Sequence, residues 1–515
     1  MVSFSTNSFM DIFSPLTWKA LFYCALLPML YVIYSGRKPK STIPWVAYND
    51  EGFRNIQLAR RQWVDHCREI IDKGAREVKG AFQVQTDIGP KIVLPDHFAD
   101  ELRNSQQVLF SEAIKQELMG TYSGLTPISL ITFDRVFQDL TRVNLTRSLD
   151  AVTPELSGET QVSLQKLLGN SEEWQEMPLK ATLENLVIRL STRVFFGEEL
   201  CQNQEYLDHV VAWSSLVLIV NITLRQWPLF LRRIVHIFHP LSRQLRDERA
   251  AASKIVAPII DKRIEEKQQG KKSTKVSDMV SWMEELFQDK KGKMDLVDGQ
   301  LFMAFVAVES TSTTIAYLLL DLLDHPDTIP RLRKEIISVL RDGGWKKTSL
   351  YEMKLLDSAM KESQRLHPLN VASMQRKVVQ NVTLSDGTVL PKGAHTFARW
   401  ESRFSPETYP NPNEFVVDRF LEKRESGEPG ASSKWQFITT SREHMGFGHG
   451  RQSCPGRFFA NNEIKVAMVH LLMRYDWAYT DHGRLPDQVV SIIPRVPLEQ
   501  KVAFRRREME DGLEL

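Results

Sequence analysis

The sequence predicts a mainly α fold with small β-sheets, preceded by one N-terminal membrane-anchor helix. Three observations carry that expectation. Apolar residues recur at helical spacing from about residue 100 to 268, and again over 296–323 and 357–367. Strand-like runs bounded by Gly, Pro, Asn or Asp are short and confined to stretches near 82–94, 381–389 and 489–504. A nearly unbroken apolar run, Ala20 to Tyr34, stands alone at the start and is followed at once by Arg37, Lys38 and Lys40.

That run is interrupted by Pro28 and is shorter than the ~20 residues a spanning helix wants. Leu16 and Trp18 lengthen it. No small-residue cleavage site follows, and the basic cluster lies on the C-terminal side, so a retained anchor is expected over a cleaved signal. The positive-inside rule then leaves everything after residue 36 in the cytosol. Residues 1–36 read as the anchor, 37–50 as a stiff polar hinge, 51–505 as one catalytic domain and 506–515 as a charged tail expected to be disordered. A net charge of +2 over 515 residues gives no reason to expect nucleic acid as a partner. The four cysteines, Cys24, Cys67, Cys201 and Cys454, form no CxxC pair, which argues against a zinc site or a disulfide framework and for a reducing compartment.

Taken in order, Asn55 to Lys79 has helical periodicity, and Phe82–Thr86 with Lys91–Leu94 reads as a hairpin about Gly89-Pro90. Val210 to Leu224 is very apolar, and Trp227 to Phe238 continues it with Arg225, Arg232 and Arg233 interspersed. Such a piece is either a core helix or a partly exposed patch touching a bilayer. Gln268 to Ser277 is a loop without periodicity. Leu296 to Leu323 is the longest apolar helical stretch, and Glu309, Ser310 and Thr311 interrupt it with an acid and two hydroxyls. A buried carboxylate is costly unless it is paired or used, and mid-helix hydroxyls back-bond to a carbonyl one turn earlier. Glu362 and Arg365 share one face of the helix 357–367.

The stretch Phe447-Gly-His-Gly-Arg-Gln-Ser-Cys-Pro-Gly456 carries the chemistry. Glycines permit tight turns and close approach to a flat ligand. Pro455 suits a helix start, and Cys454 is expected near the positive end of the helix that follows, which favours its thiolate. Alone, such a cysteine is more often a small buried hydrophobe. Here Phe447, Gly450, Cys454 and Gly456 match in type and spacing the haem loop of the cytochromes P-450, and the chain resembles that family over nearly its whole length.

The resemblance implies the cytochrome P-450 fold, haem b with Cys454 as axial iron ligand, and Phe447, Gly450, Arg451, Gln452 and Gly456 in the haem loop. Arg376 falls where the family uses an arginine on a haem propionate. Glu362, Arg365 and Arg419 match a buried charge triad. Gln452 stands where Arg or His is usual, keeping a hydrogen-bond donor without charge. No clear Trp-x-x-x-Arg marks an early helix. The family's acid–threonine pair reads here as Glu309-Ser310 followed by Thr311, leaving open which hydroxyl serves proton delivery. Within the family the chain is most similar to fungal microsomal terpenoid oxidases such as ent-kaurene and gibberellin-intermediate oxidases.

The activity so implied is a haem-thiolate monooxygenase at the endoplasmic reticulum membrane. NADPH enters only through cytochrome P-450 reductase, and the substrate is a lipophilic small molecule. Pocket walls are expected from 111–128, 210–224, 302–309 and 369–373. The alternatives are a reductase-independent haem-thiolate isomerase or dehydratase, which the altered acid–hydroxyl pair keeps open, and a non-enzymatic haem or membrane scaffold.

Overall fold

The computed structural model describes residues 42–47, 53–132, 136–269, 279–287 and 295–509, with Leu26. The anchor run and the tail beyond residue 509 lie outside these, as does most of the loop expected at 268–277. The described tail start departs from expectation, because Arg506 ends a paired strand. The segment 42–47 is not a free polar hinge. Ile43 and Val46 are buried, Gln83 donates its amide to Pro44 O (2.7 Å), and Val46 donates to Gln83 O (2.9 Å).

Five strands form the main sheet: β1 (Phe82–Gln85), β2 (Pro90–Leu94), β3 (Val108–Leu109), β5 (Ala372–Val378) and β8 (His395–Arg399), in the order β1-β2-β8-β5-β3. Between β3 and β5 in sequence comes β4 (Gln175–Pro178), which joins β9 (Tyr475–Tyr479) and β12 (Lys501–Arg506) in a second sheet. Two antiparallel pairs complete the described strands: β6 (Val382–Thr383) with β7 (Val389–Leu390), and β10 (Gln488–Val490) with β11 (Ile493–Arg495). The expected hairpin is β1–β2, antiparallel with Phe82 opposite Val93. Strand β5 bulges between Ser373 and Arg376, with Met374 at φ 52°. A bulge re-aims the residues that follow it, and here it redirects Arg376.

The long helix Leu296–Asp324 is the axis of the core. Asp295 caps it by accepting from the amides of Val297 and Asp298 (2.8 and 3.4 Å). Its 29 residues span about 44 Å, and most of its surface is buried against the helices Leu179–Phe196 and Lys354–Leu366. It is apolar and long enough to cross a membrane, as is Gln204–Arg225, yet burial makes it a core element. Gln204–Arg225 is half core, with Trp213 buried and donating to Gly124 O (2.9 Å). Pro228 then breaks the apolar run, and the separate helix Leu229–Phe238 exposes Leu229, Phe230, Ile234, Ile237 and Phe238, the last at 73%.

One polar knot ties the end of the long helix to the start of β5. His367 stacks on Tyr317 (centroids 4.5 Å apart) and bonds Asp321 Oδ1 (3.0 Å), and Arg484 Nη1 donates to the same oxygen (3.0 Å). Burial lowers the imidazolium's stability, but Asp321 and Asp487 outweigh that and push the His367 pKa up to about 9. A raised folded-state value gives stabilisation that is complete below about 6.5 and lost as pH rises through about 9. The group therefore contributes about 3 kcal/mol at low pH. Melting followed from about pH 6 to pH 10 is expected to fall steeply in the parent and less steeply in His367→Gln; parallel slopes would contradict this.

Candidate active site

Three pieces of chain build the site: the helix Lys354–Leu366, the loop 444–456, and the turn 309–311 of the long helix. Glu362 and Arg365 both have fully buried side chains (0% exposed), so their spacing is not surface decoration. Arg365 donates Nε to Glu362 Oε2 and Nη2 to Oε1, each at 2.8 Å, and Arg419 donates Nε to Oε1 at 2.8 Å. The remaining guanidinium donors go to backbone carbonyls. Arg365 Nη1 reaches Arg403 O (2.7 Å) and Pro412 O (2.6 Å), and Arg419 Nη2 reaches Asn411 O (3.1 Å). A buried carboxylate between two guanidiniums holds only because every charge is met.

From this triad the chain runs to the loop. Gln364, on the same helix, bonds His444 Nε2 (2.9 Å). Gly446 lies so close to Gln364 that an added Cβ would fall 2.1 Å from its Oε1. Gly450 has φ 75°, and a Cβ there would lie 2.4 Å from Arg103 O. Both its backbone angle and its packing demand glycine. Gly448 needs it for its angle alone (φ 72°). Gly456 needs neither a positive φ nor close packing: its φ is −85°, and nothing lies within 4 Å of where a Cβ would stand. Phe447 packs edge-on against Phe437 (5.0 Å between centroids), and its carbonyl accepts the Cys454 amide (2.8 Å).

Cys454 stays partly accessible, and the helix Arg457–Arg474 begins three residues later. Burial pushes its thiol up; the amides of Gly456 and Arg457 and the charges of Arg457 and Arg142 oppose that without reversing it. The helix start alone does not make the thiolate. A bound metal ion would supply the charge that does.

The residues present fit the haem that the loop implies. Arg376 is buried, donates Nη1 only to Gln375 O (2.8 Å), and leaves Nε and Nη2 without partners. Burial without an acid lowers its pKa to about 10. An orphaned guanidinium calls for a carboxylate, which a haem propionate supplies. The open space beside Gly456 and the accessible sulfur fit a flat iron-bearing ligand. Arg142 adds a cation that sequence reasoning missed. It donates Nη2 to Arg451 O (2.9 Å) from a π-helical turn, Leu140–Leu145. The residue four before Arg142 is Gln138 rather than Trp, so the motif sought in the sequence is absent.

Gln452 has a different task from the one expected. Its Oε1 accepts from Phe110 N (2.6 Å) and its Nε2 donates to Val108 O (2.9 Å), so both amide atoms clamp the loop to β3. Arg451 is exposed, held through its backbone amide to Arg103 O (3.1 Å).

On the long helix the three predicted residues point apart. Glu309 Oε2 meets Lys180 Nζ at 3.2 Å, while Lys180 also meets Glu184 Oε1 (3.1 Å) and Ser312 Oγ (2.8 Å). Burial raises the Glu309 carboxyl, but Lys180, Glu184 and Arg495 outweigh it and hold it below its usual range. For Glu184 burial wins, and it is pushed up. Ser310 Oγ donates back to Val306 O (3.1 Å) and is half-buried. Thr311 is buried and faces Glu463.

The triad yields a direct expectation. Glu362→Ala leaves two buried guanidiniums without their acid and should cost about 3–5 kcal/mol. Denaturant unfolding measures it, and a loss under about 1 kcal/mol, the worth of an exposed pair, would contradict the buried network.

A family model, Cytochrome P450, matches residues 138–502. The chain is similar to cytochrome P450 monooxygenase hepE of Aspergillus oryzae, 37% identical over 465 residues, covering 88% of this chain and 84% of that protein. It is also similar to cytochrome P450 monooxygenase bsc2 of Alternaria brassicicola, 33% identical, covering 99% and 98%. The fold matches retinoic acid-bound cyanobacterial CYP120A1 with a TM-score of 0.68 at 20% identity, covering 91% of this chain and all of that one. With its cysteine loop, buried triad and orphaned arginine, the chain belongs to the cytochrome P450 family, whose cofactor is haem b and whose activity is oxidoreductase chemistry.

Proposed function

We propose that this monooxygenase inserts one atom of O2 into a lipophilic, terpenoid-type small molecule, with electrons from NADPH delivered by a membrane-bound cytochrome P450 reductase. The observation that carries the reading is Cys454, presented partly accessible on a loop fixed by buried charges, with two unmet donors of the Arg376 guanidinium beside its strand bulge. Cys454 would ligate the iron, and Arg376 would hold a propionate, with Phe447, Gly450 and Gly456 shaping the loop and Arg451 at its rim. Bound haem iron with a thiolate ligand supplies the activation of O2.

The protein's own residues do the rest. The reaction consumes two protons and two electrons per oxygen atom inserted, and releases water. Glu309 Oε2, poised on Lys180 Nζ, takes up a proton beside Glu184 and passes it on through water and the hydroxyl of Ser310 or Thr311. Apolar residues of 111–128, 210–224, 302–309 and 369–373 exclude water and orient the substrate. The exposed apolar face of Leu229–Phe238, with Arg233 near it, rests on the endoplasmic reticulum membrane, into which residues 1–36 anchor the cytosolic catalytic domain. A terpenoid substrate would arrive from that membrane.

The experiment supplies reductase, NADPH and isotopically heavy O2 with a panel of terpenoid hydrocarbons. One heavy oxygen atom per product is expected, and none without NADPH. Product formed without NADPH or O2 would favour an isomerase and contradict the proposal. In the same assay Glu309→Gln should lower turnover by about 100-fold while peroxide replaces product; unchanged coupling would remove Glu309 from the relay.

A further inference from the structure

A row of buried charges that no step above uses lies where two expected pocket walls meet the main sheet. Lys91 Nζ, on β2, meets Glu117 Oε1 at 2.6 Å, and the two side chains are 5% and 8% exposed. Arg225 Nη1 meets Asp87 Oδ2 at 3.0 Å, and these side chains are 11% and 3% exposed. Arg225 links the two pairs, because its Nη2 donates to the Glu117 carbonyl (2.7 Å). Asp87 stands in the β1–β2 turn, Glu117 ends the helix Phe110–Glu117, and Arg225 ends the helix Gln204–Arg225. Gln375, on β5, turns its amide nitrogen to both Glu117 oxygens (3.2 and 2.9 Å). Removing one member of such a pair strands its partner's charge in the interior.

The chain after Glu117 is bound to helices rather than to the sheet. Trp213 Nε1 donates to Gly124 O (2.9 Å), and His236 Nε2 donates to Ser123 O (2.8 Å). Tyr122 packs edge-on against His236, 5.3 Å between centroids. With Arg225 on Glu117 O, three carbonyls of 117–124 take donors from the helices Gln204–Arg225 and Leu229–Phe238, so segment and helices form one unit. Two charged ties hold that unit to the sheet and its first turn: Glu117 to Lys91, and Arg225 to Asp87. Gln116 adds neutral bonds to His395 on β8 (3.0 Å) and to Lys377 on β5 (3.3 Å). The unit also borders the reactive side. Phe110 N donates to Gln452 of the cysteine loop (2.6 Å), and the Arg376 guanidinium lies 5.9 Å over the Phe110 ring. Trp213 packs on Phe305, 6.1 Å between centroids, one turn before Glu309 on the long helix.

We propose that Glu117 and Arg225 are specificity-determining positioning residues. Through Lys91 and Asp87 they clasp the wall 110–124 and the end of the helix Gln204–Arg225 to the sheet, and so limit the size of ligand that fits between that wall and the cysteine loop. The inference rests on the reading of 111–128 and 210–224 as pocket walls.

The test uses full-length, haem-loaded protein in detergent micelles and compares Glu117→Gln, Lys91→Met, the double variant Lys91→Met/Glu117→Gln, and Arg225→Met. Arg333→Met is the control, since that guanidinium ties the helix Thr328–Gly343 to Tyr475 and Asp476, away from the wall. Two readouts are taken: amide hydrogen exchange along the chain, and the affinity for imidazole against bulkier 4-phenylimidazole from the shift of the haem spectrum. Glu117→Gln, Lys91→Met and Arg225→Met should each speed exchange within 110–124 by about 10-fold. Each should also strengthen 4-phenylimidazole relative to imidazole by about 3- to 10-fold. The double variant leaves neither charge stranded and removes one contact rather than two, so both readouts should return toward the parent. Arg333→Met should speed exchange around 328–343 and leave the azole ratio as in the parent.

Faster exchange in 110–124 with an unchanged azole ratio would overturn the proposal. So would additive effects in the double variant, or an azole ratio that moves as far in Arg333→Met. If Lys91→Met does not fold, Glu117→Gln and Arg225→Met still decide the matter. Exchange reads the clasp whatever the pocket holds. A parent whose haem takes up no azole would thus sink the functional reading, whereas unchanged exchange in 110–124 of Glu117→Gln and Arg225→Met would sink the clasp.

Discussion

The Glu362 carboxylate is the constraint on which the site depends. It sits with no solvent exposure between Arg365 and Arg419, and the two guanidiniums carry its hold outward. Arg365 reaches the carbonyls of Arg403 and Pro412, and Arg419 reaches that of Asn411. An irregular stretch of chain, 403–419, is thereby fixed to one helix without a sheet to order it. The same turn of that helix holds the cysteine loop itself, through Gln364 against His444 and Gly446. A loop must be over-determined to present a single sulfur reproducibly, and here buried charge does the work that regular hydrogen bonding does elsewhere.

The same economy of buried polar groups shows where a ligand belongs. Asp357 shows a buried charge fully met, with Arg424 and Lys465 at 3.0 and 2.9 Å. Arg376, by contrast, has two donors left over. A bulge with a left-handed Met374 aims it, so the misfit is built rather than accidental. Glu463 is the complementary case: a buried acid with no cation paired to it among the described residues, met by the Ser191 hydroxyl.

How much of this was legible in the sequence follows from how local each signal is. Cys454 and its glycines, and the Glu362–Arg365 pair, declare themselves because residue type and short spacing together are specific. The mainly α architecture and the β1–β2 hairpin followed from periodicity and the Gly89-Pro90 turn. What depends on distant partners was hidden. Gln452 read as a propionate donor because nothing in its neighbourhood points to Val108 and Phe110. Arg142 was missed because Gln138, not Trp, stands four residues before it. The segment 42–47 read as a hinge because its pairing to Gln83 is non-local. Glu463 was indistinguishable from a surface glutamate until its burial and Ser191 beside it were seen. The apolar run 210–238 divided as its single proline required, one half core and the other an exposed face.

The most direct test of the central claim is a reduced carbon-monoxide difference spectrum of membranes holding the parent beside Cys454→Ala. Thiolate-ligated haem predicts a long-wavelength Soret band in the parent that is absent in the variant. A band at the shorter wavelength of other ligands, or folded parent protein without haem, would contradict the account.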